Sequence, residues 1–217
     1  MSNENDQRVA FVTGATGAIG AAIAKGIAEQ PNYKVVLVVR NEAKAKRTVK
    51  EIVEATGNQE IRYQLCDLSR REEIYALADA WQESLHVLVN NAAVTPRRRR
   101  ETPEGIELQF ATNVLGYFWM IRAFKEHLKD SAPARVVNVA SYWAGDLDID
   151  DLEFERRPYR NGTAYRQSKQ ADRMLTAAFA ERLESDGITV NACHPGDVNS
   201  KLSNNLGFGG SETPEQG

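Results

Sequence analysis

The chain has 217 residues, a length suited to one α/β domain around one large core. Hydrophobic residues at 42%, charged residues at 26% and a net charge of -3 are ordinary globular values, and they give no reason to expect nucleic acid or an anionic membrane as partner. The longest purely aliphatic run, Val35 to Val39, is far short of the roughly 20 residues that span a bilayer, so no membrane span is expected. The chain opens on "MSNENDQ", residues 1–7, which has neither the basic start nor the apolar stretch of a secretory signal and reads as a disordered tail.

From Arg8 onward short β-branched runs alternate with longer helical stretches: "RVAFV", "AIGAAIAKGIAEQ", "YKVVLVV", "NEAKAKRTVKEIVEATG", "IRYQL", "REEIYALADAWQES", "HVLVN". The alternation continues with "GIELQFATNVLGYFWMIRAFKEHL", "RVVNVAS", "AYRQSKQADRMLTAAFAERLES" and "ITVNACHPG". Strands that are apolar throughout are buried on both faces, and helical crossovers between them imply a parallel sheet. The pattern therefore predicts a Rossmann-like, doubly wound α/β fold in a single domain, residues 8–200, followed by a mobile segment, 201–217. Pro31-Asn32, Thr56-Gly57-Asn58 and Asp186-Gly187 supply the turn and helix-stop signals. A parallel sheet ending at "ITVNACH" leaves an apolar edge, so a homo-oligomer, a covering segment or a mobile end is expected.

Two connections exceed the usual length, Val94 to Gly105 and Tyr142 to Gly162. Both should leave the carboxyl ends of strands, where open α/β sheets bind ligands. The first contains four successive arginines, Arg97 to Arg100, which read as a solvated loop or as a guide for an anionic cofactor or partner. Tyr142, Trp143, Phe154 and Tyr159 read either as the lining of an apolar pocket or as ordinary packing. Cys66 and Cys193 lie in strand-like runs and are expected to be buried, reduced thiols of a cytoplasmic protein. His86, His127 and His194 stand apart without ligand spacing, so no metal is expected.

The first strand runs directly into "TGATGAIG", Thr13 to Gly20, and then into a helix. Glycines there permit a tight turn and close approach of backbone to a pyrophosphate, which the helix N-terminus attracts through free amides and its dipole. The second strand ends at Arg40 and Asn41 rather than at an acidic residue, a choice that suits the 2′-phosphate of NADP(H), with NAD(H) as the other candidate. Asp67 ends the third strand, where it could accept a hydrogen bond from an adenine amino group or cap the helix starting near Ser69.

In "AYRQSK" Tyr165 and Lys169 fall one helical turn apart on one face. A cation there favours the phenolate, and lowering a phenol from its usual value near 10 by about two units requires roughly 2.7 kcal/mol, within reach of one close ammonium.

Taken together, "TGATGAIG", "CDLS", "NNAA", "FATNVLG", "VVNVAS", "AYRQSK" and "HPGDV" occur in the order found in the short-chain dehydrogenase/reductase family. The chain resembles that family from Arg8 to about Ser200, and most of all its retinol dehydrogenase and carbonyl reductase branches. The resemblance implies a catalytic set of Asn113, Ser141, Tyr165 and Lys169. It implies cofactor contacts at Gly14, Thr16, Gly17, Ala18, Ile19, Gly20, Arg40, Asn41, Asp67 and Leu68. Further contacts fall on Asn90, Asn91, Ala92, Ala93, Tyr165, Lys169, Pro195, Gly196, Val198 and Ser200. Ala18 stands where the single-domain branch usually has its middle glycine, a spacing similar to the epimerase branch. The family also continues past "SETPEQG" with another helix and a last strand. What the resemblance implies is an oxidoreductase that moves a hydride between nicotinamide and a lipophilic carbonyl or alcohol, with Tyr165 as general acid or base. The alternative is a catalytically silent NADPH-binding sensor or scaffold, with epimerase or dehydratase chemistry a third reading.

Overall fold

The computed structural model describes residues 7–217, so the expected N-terminal tail lies, except for Gln7, outside the described residues. Six parallel strands form one sheet in the order β3-β2-β1-β4-β5-β6. They are β1 (Arg8–Thr13), β2 (Tyr33–Val39), β3 (Ile61–Leu65), β4 (Val87–Asn90), β5 (Ala134–Val139) and β6 (Ile188–Cys193). Helices α1 (Ala18–Ala28), α2 (Glu42–Thr56) and α3 (Arg71–Ala80) follow the first three strands. Helices α4 (Gly116–Ala123) and α5 (Lys125–Asp130) precede β5, α6 (Asn161–Leu183) precedes β6, and α7 (Lys201–Leu206) follows it. Strand order reverses between β1 and β4, which opens a crevice at their carboxyl ends.

Alternation along β2 shows how the sheet is covered on both faces. Val35, Leu37 and Val39 pack with Ala24 and Ala28 of α1 and with Ala45 and Ile52 of α2. Val36 and Val38 point the other way, into a core with Ile74 of α3, Met120 of α4, Leu128 of α5 and Phe179 of α6. Each Val, Leu, Ile, Met or Phe among these contributes about 1.5–3 kcal/mol on burial, more than an exposed ion pair. The expected stop signals act as backbone devices. Gly57 ends α2 at φ +74° and Gly187 leads into β6 at φ +72°, both left-handed conformations that a side chain resists.

Three expectations need correction. The stretch read as one helix from Gly105 to Leu128 is broken into a π-helical turn, Phe110–Leu115, followed by α4 and α5. Asn113 sits in that wide turn because its amide is drawn to the loop after β4, where Oδ1 accepts from Val94 N (2.8 Å) and Nδ2 donates to Val94 O (3.1 Å). Cys66 is buried as expected, and burial pushes its thiol up to about 12, but Cys193 at the end of β6 is exposed. The β6 edge is less apolar than its sequence suggests, because only Ile188 and Val190 turn into the core while Thr189 and Asn191 face outward.

Residues 201–217, expected as a mobile segment, begin with α7 and return to lie beside residues 197–199. Ser211 N and Glu212 N both donate to Asp197 O, at 2.8 and 3.0 Å, and Val198 bridges Glu212 in parallel. Among the described residues no helix is long and apolar enough to cross a membrane.

Candidate active site

The nucleotide end is shaped by backbone. β1 enters its turn at Gly14 with φ +64°, where a Cβ would lie 2.7 Å from Ala92 Cα. At Gly20 a Cβ would meet Asn91 Nδ2 at 2.5 Å and Gly14 O at 2.6 Å. The turn glycines thus seat β1 and α1 against the end of β4, a second demand beside that of any ligand. Asn91 secures the junction, donating through Nδ2 to Thr13 O (2.8 Å), while Thr13 Oγ1 accepts from Asn91 N and Ala92 N. Gly17 caps α1 in extended conformation, and no side chain among the described residues bonds the first-turn amides. Thr16, Ala18 and Ile19 are half-buried around this cap. A pyrophosphate fits such a cradle, which offers amides and a dipole without a competing carboxylate.

At the ends of β2 and β3, Arg40 Nη1 lies 3.9 Å from Asp67 Oδ2, and both side chains remain accessible. Asp67 Oδ1 accepts from Ser69 N (3.0 Å) and Oγ (2.8 Å) in a turn preceding α3, so it is not the helix cap, a place taken by Arg70. Leu68 is buried, with its carbonyl against Gly116. Asn41 caps α2 by accepting from Lys44 N at 2.9 Å.

The other end of the crevice is built from buried polar side chains. Tyr165 and Lys169 lie in the first half of α6, 9% and 2% exposed. Lys169 Nζ donates to Val139 O of β5 (2.7 Å), to Asp172 Oδ2 (3.0 Å) and to Tyr117 Oη of α4 (3.3 Å), which commits all three of its hydrogens. It also lies over the Tyr117 ring, 4.8 Å from the centroid. Burial alone would lower the Lys169 ammonium, but the Asp172 carboxylate, with Tyr117 and Tyr165, holds it above the ordinary lysine range. Asp172, fully buried, is pushed up by loss of hydration against the opposing pull of Lys169. Burial likewise raises the Tyr117 phenol, with Lys169 opposing.

Ser141 follows the end of β5, where its Oγ accepts from Trp143 N at 3.1 Å and its own hydrogen is left for another acceptor. Asn113 Nδ2 also donates to Ser168 Oγ (3.2 Å), so its protein partners are Val94 and the neighbour of Lys169, not Lys169 itself. Asn90 is fully buried and donates to Asn138 Oδ1 (2.9 Å), whose Nδ2 donates to Thr176 Oγ1 (2.9 Å) of α6. Ser200 is occupied as the cap of α7, and Gly196 at φ +78° has the Glu212 carboxylate beside it.

Residues 8–208 match the family model described as short chain dehydrogenase. The chain belongs to that family. Its relatives include human retinol dehydrogenase 11, 37% identical over 93% of this chain and 64% of that protein, and human retinol dehydrogenase 13, 34% identical over 94% and 63%. The chain therefore spans less than two thirds of the length of these curated relatives. Among solved structures, a metagenomic short-chain oxidoreductase in complex with NADP is 31% identical at TM-score 0.70, over 87% of this chain and 82% of that one.

Within this short-chain dehydrogenase Gly14, Arg40, Asp67, Asn91, Ser141 and Pro195 follow the carboxyl ends of β1 to β6, and Tyr165 lies in the first half of α6. The side chains of Asn41, Asn90, Asn91 and Ser200 are engaged in the protein's own structure. The four aromatics divide. Phe154 and Tyr159 pack on each other within the second long loop (5.4 Å), whereas exposed Trp143 stacks edge-on against Phe208 (4.5 Å) and Tyr142 faces His194 (5.7 Å). Arg97, Arg98 and Arg100 are exposed, while Arg99 pairs with Glu101 and donates from Nε to Glu153 O (2.9 Å), tying the two long loops together. Tyr117, Asn138, Asp172 and Thr176 were not singled out. A signal existed in α6, where Tyr165, Ser168, Lys169, Asp172, Thr176, Phe179 and Leu183 form one buried stripe at intervals of three and four.

Proposed function

We propose that this chain is an NADP(H)-linked oxidoreductase that interconverts a carbonyl and an alcohol, with a lipophilic aldehyde or ketone of retinoid or steroid type as substrate. The observation that carries the reading is the buried ammonium of Lys169, one turn from Tyr165 on α6, at the carboxyl end of β5 where Ser141 emerges. Nicotinamide, when bound, supplies or accepts the hydride.

The protein's part is proton transfer and orientation. As the alcohol oxygen gains charge during reduction, Tyr165 Oη gives it a proton, and in the reverse direction takes one. The buried ammonium of Lys169, one turn away on α6, places a positive charge near that exchange. Ser141 orients the carbonyl oxygen through its free hydroxyl hydrogen while charge develops. Asn113 fixes the loop after β4 on one side and Ser168 on the other.

NADP(H) is preferred because the residue that follows β2 is an accessible arginine, Arg40, and not a carboxylate, so a 2′-phosphate finds a cation at the position where NAD binders usually carry an acidic residue. The solved relatives with NADP support the choice. The activity is tested by NADPH oxidation against a panel of aldehydes and ketones. Tyr165→Phe should lower turnover by on the order of 10²–10⁴-fold while leaving NADPH affinity nearly unchanged.

A silent NADPH sensor has one observation in its favour: all three hydrogens of Lys169 are committed to the protein, with none directed to a nicotinamide ribose. NADPH binding without turnover of any carbonyl would favour it.

A further inference from the structure

We propose that Asp172 is a positioning residue of the active site, acting through Lys169: its carboxylate keeps the lysine charged and seated between α4, β5 and α6, and thereby sets the charge that Tyr165 feels. The inference deepens the oxidoreductase reading and rests on it only for its consequence in turnover. The geometry is unusual in what it encloses. Asp172 is 0% and Lys169 2% exposed, three positions apart, with Nζ 3.0 Å from Oδ2. The other partners of the ammonium are neutral, a strand carbonyl and the Tyr117 hydroxyl.

A buried ammonium whose only counter-ion is removed loses its proton far more readily, since nothing else repays its lost hydration. The groups that face Lys169 are few. Tyr165 and Asp172 come from α6, Tyr117 from α4 and the Val139 carbonyl from β5, and the Cys193 thiol at the end of β6 feels the lysine's charge. None of these except Asp172 is a carboxylate, and its charge is held against burial by Lys169.

Asp172 is itself held from behind. Thr176 Oγ1 donates to Asp172 O (2.7 Å) and accepts from Asn138 Nδ2, which is in turn bound to Asn90. Asp172 Oδ1 is buried without a hydrogen-bond partner among the described residues, so the carboxylate is aimed at the lysine by Oδ2 alone. A side chain kept only for packing at this place would not need a charge.

The test follows the ionisation of Tyr165 directly, by NMR titration of protein carrying tyrosine labelled with ¹³C at Cζ, the Tyr165 signal being the one lost in Tyr165→Phe. In Asp172→Asn, which keeps shape and a hydrogen-bonding oxygen, the Tyr165 midpoint should rise by about one pH unit or more, a tenfold change at fixed pH. Asp172→Glu, with its charge kept, should stay near the wild type. In a Lys169→Met background, adding Asp172→Asn should give no further upward shift, because the carboxylate acts through the lysine. The pH limb for NADP⁺-dependent oxidation of 1-phenylethanol should move the same way as the midpoint in Asp172→Asn.

A midpoint that stays put or falls in Asp172→Asn overturns the proposal, as does an equal rise in the Lys169→Met background. If the midpoint rises as expected while the wild type oxidises no alcohol, the positioning role stands and the oxidoreductase reading fails. If the wild type turns over alcohol while limb and midpoint stay unmoved in Asp172→Asn, the oxidoreductase reading stands and the positioning role fails. Should Asp172→Asn not fold, Lys169→Met alone must still raise the Tyr165 midpoint, or the proposal is lost.

Discussion

On the β1–β3 side of the crevice the protein shapes its surface with what is missing, whereas on the β4–β6 side it does so with what it buries. Gly14, Gly17 and Gly20 leave room for backbone to approach backbone, and their neighbours Arg40 and Asp67 stay accessible at the rim. Across the switch point, Asn90, Asn138, Thr176, Asp172, Lys169 and Tyr117 form a polar chain sealed from solvent. The first arrangement tolerates little added volume; the second tolerates little change of charge, because each member of a dry network depends on its partner. Binding a long anionic ligand asks for the first. Holding one phenol ready to exchange a proton asks for the second.

The largest break in this comparison comes from adding one methyl group at the join. In Gly20→Ala the new Cβ would sit 2.5 Å from Asn91 Nδ2, 2.6 Å from Gly14 O and 2.9 Å from Ala15 Cα, and two of these are backbone atoms that cannot step aside. The expected cost is about 2–3 kcal/mol, with a fall in Tm of roughly 5–10 °C by calorimetry, together with weakened NADPH binding. Gly26→Ala in the same helix is the control: nothing lies within 4 Å of its new Cβ, so it should hold stability or gain about 0.5–1 kcal/mol. Equal losses at the two positions would show that α1 is sensitive to any substitution and that the close approach at Gly20 carries no special weight.

The two halves also differ in how openly the sequence displays them. A glycine-rich turn between an apolar strand and a helix is a local pattern, so Thr13 to Gly20 could be read directly, and Arg40 is placed by strand length alone. The π-helical turn at Phe110–Leu115 could not be read that way. It arises from the pull of Val94 on Asn113, 19 positions distant in sequence, and local helical periodicity carries no trace of that contact. Asp172 lay between these cases. Its place on the buried stripe of α6 follows from spacing, but an aspartate in a helix is ordinarily taken for solvent-facing, and only the packed core reveals that its partner is Lys169. Cys193 fails for a different reason, since an edge strand buries one face and the alternation decides which residues are left outside.

A smaller effect, confined to the nucleotide half, follows from reversing the charge at the end of β2. Arg40→Asp should weaken NADPH by on the order of 10–100-fold in a fluorescence titration and leave NADH unchanged or improved, because an aspartate there repels a 2′-phosphate yet accepts from a ribose hydroxyl. At saturating cofactor the Tyr165 chemistry should be untouched, since Arg40 belongs to the other end of the sheet. Equal losses for both nucleotides would dissolve the assignment of Arg40 to the 2′-phosphate.

The smallest effect belongs to neither half and tests whether stability and site can be separated. His86 lies just before β4 at the amino ends of the strands, and its Nδ1 accepts from Val9 N at 3.1 Å, a bond that requires an unprotonated ring nitrogen. Burial, with Arg8 adding to it, lowers His86 below the ordinary histidine range. The folded state therefore binds fewer protons than the unfolded one in the window just below the unfolded value of about 6.5. Stability from this group is present above that value and declines as pH falls through it. A urea midpoint measured between about pH 7.5 and 5.5, a range that brackets the unfolded value, should drop less steeply in His86→Gln, whose amide oxygen can accept from Val9 without titrating. NADPH affinity should show no such difference between the two proteins, because the residues proposed to hold NADPH follow the carboxyl ends of the strands, opposite His86. A wild-type midpoint flat across this range, or an equal slope in His86→Gln, would remove His86 from the account of acid sensitivity while leaving the crevice as described.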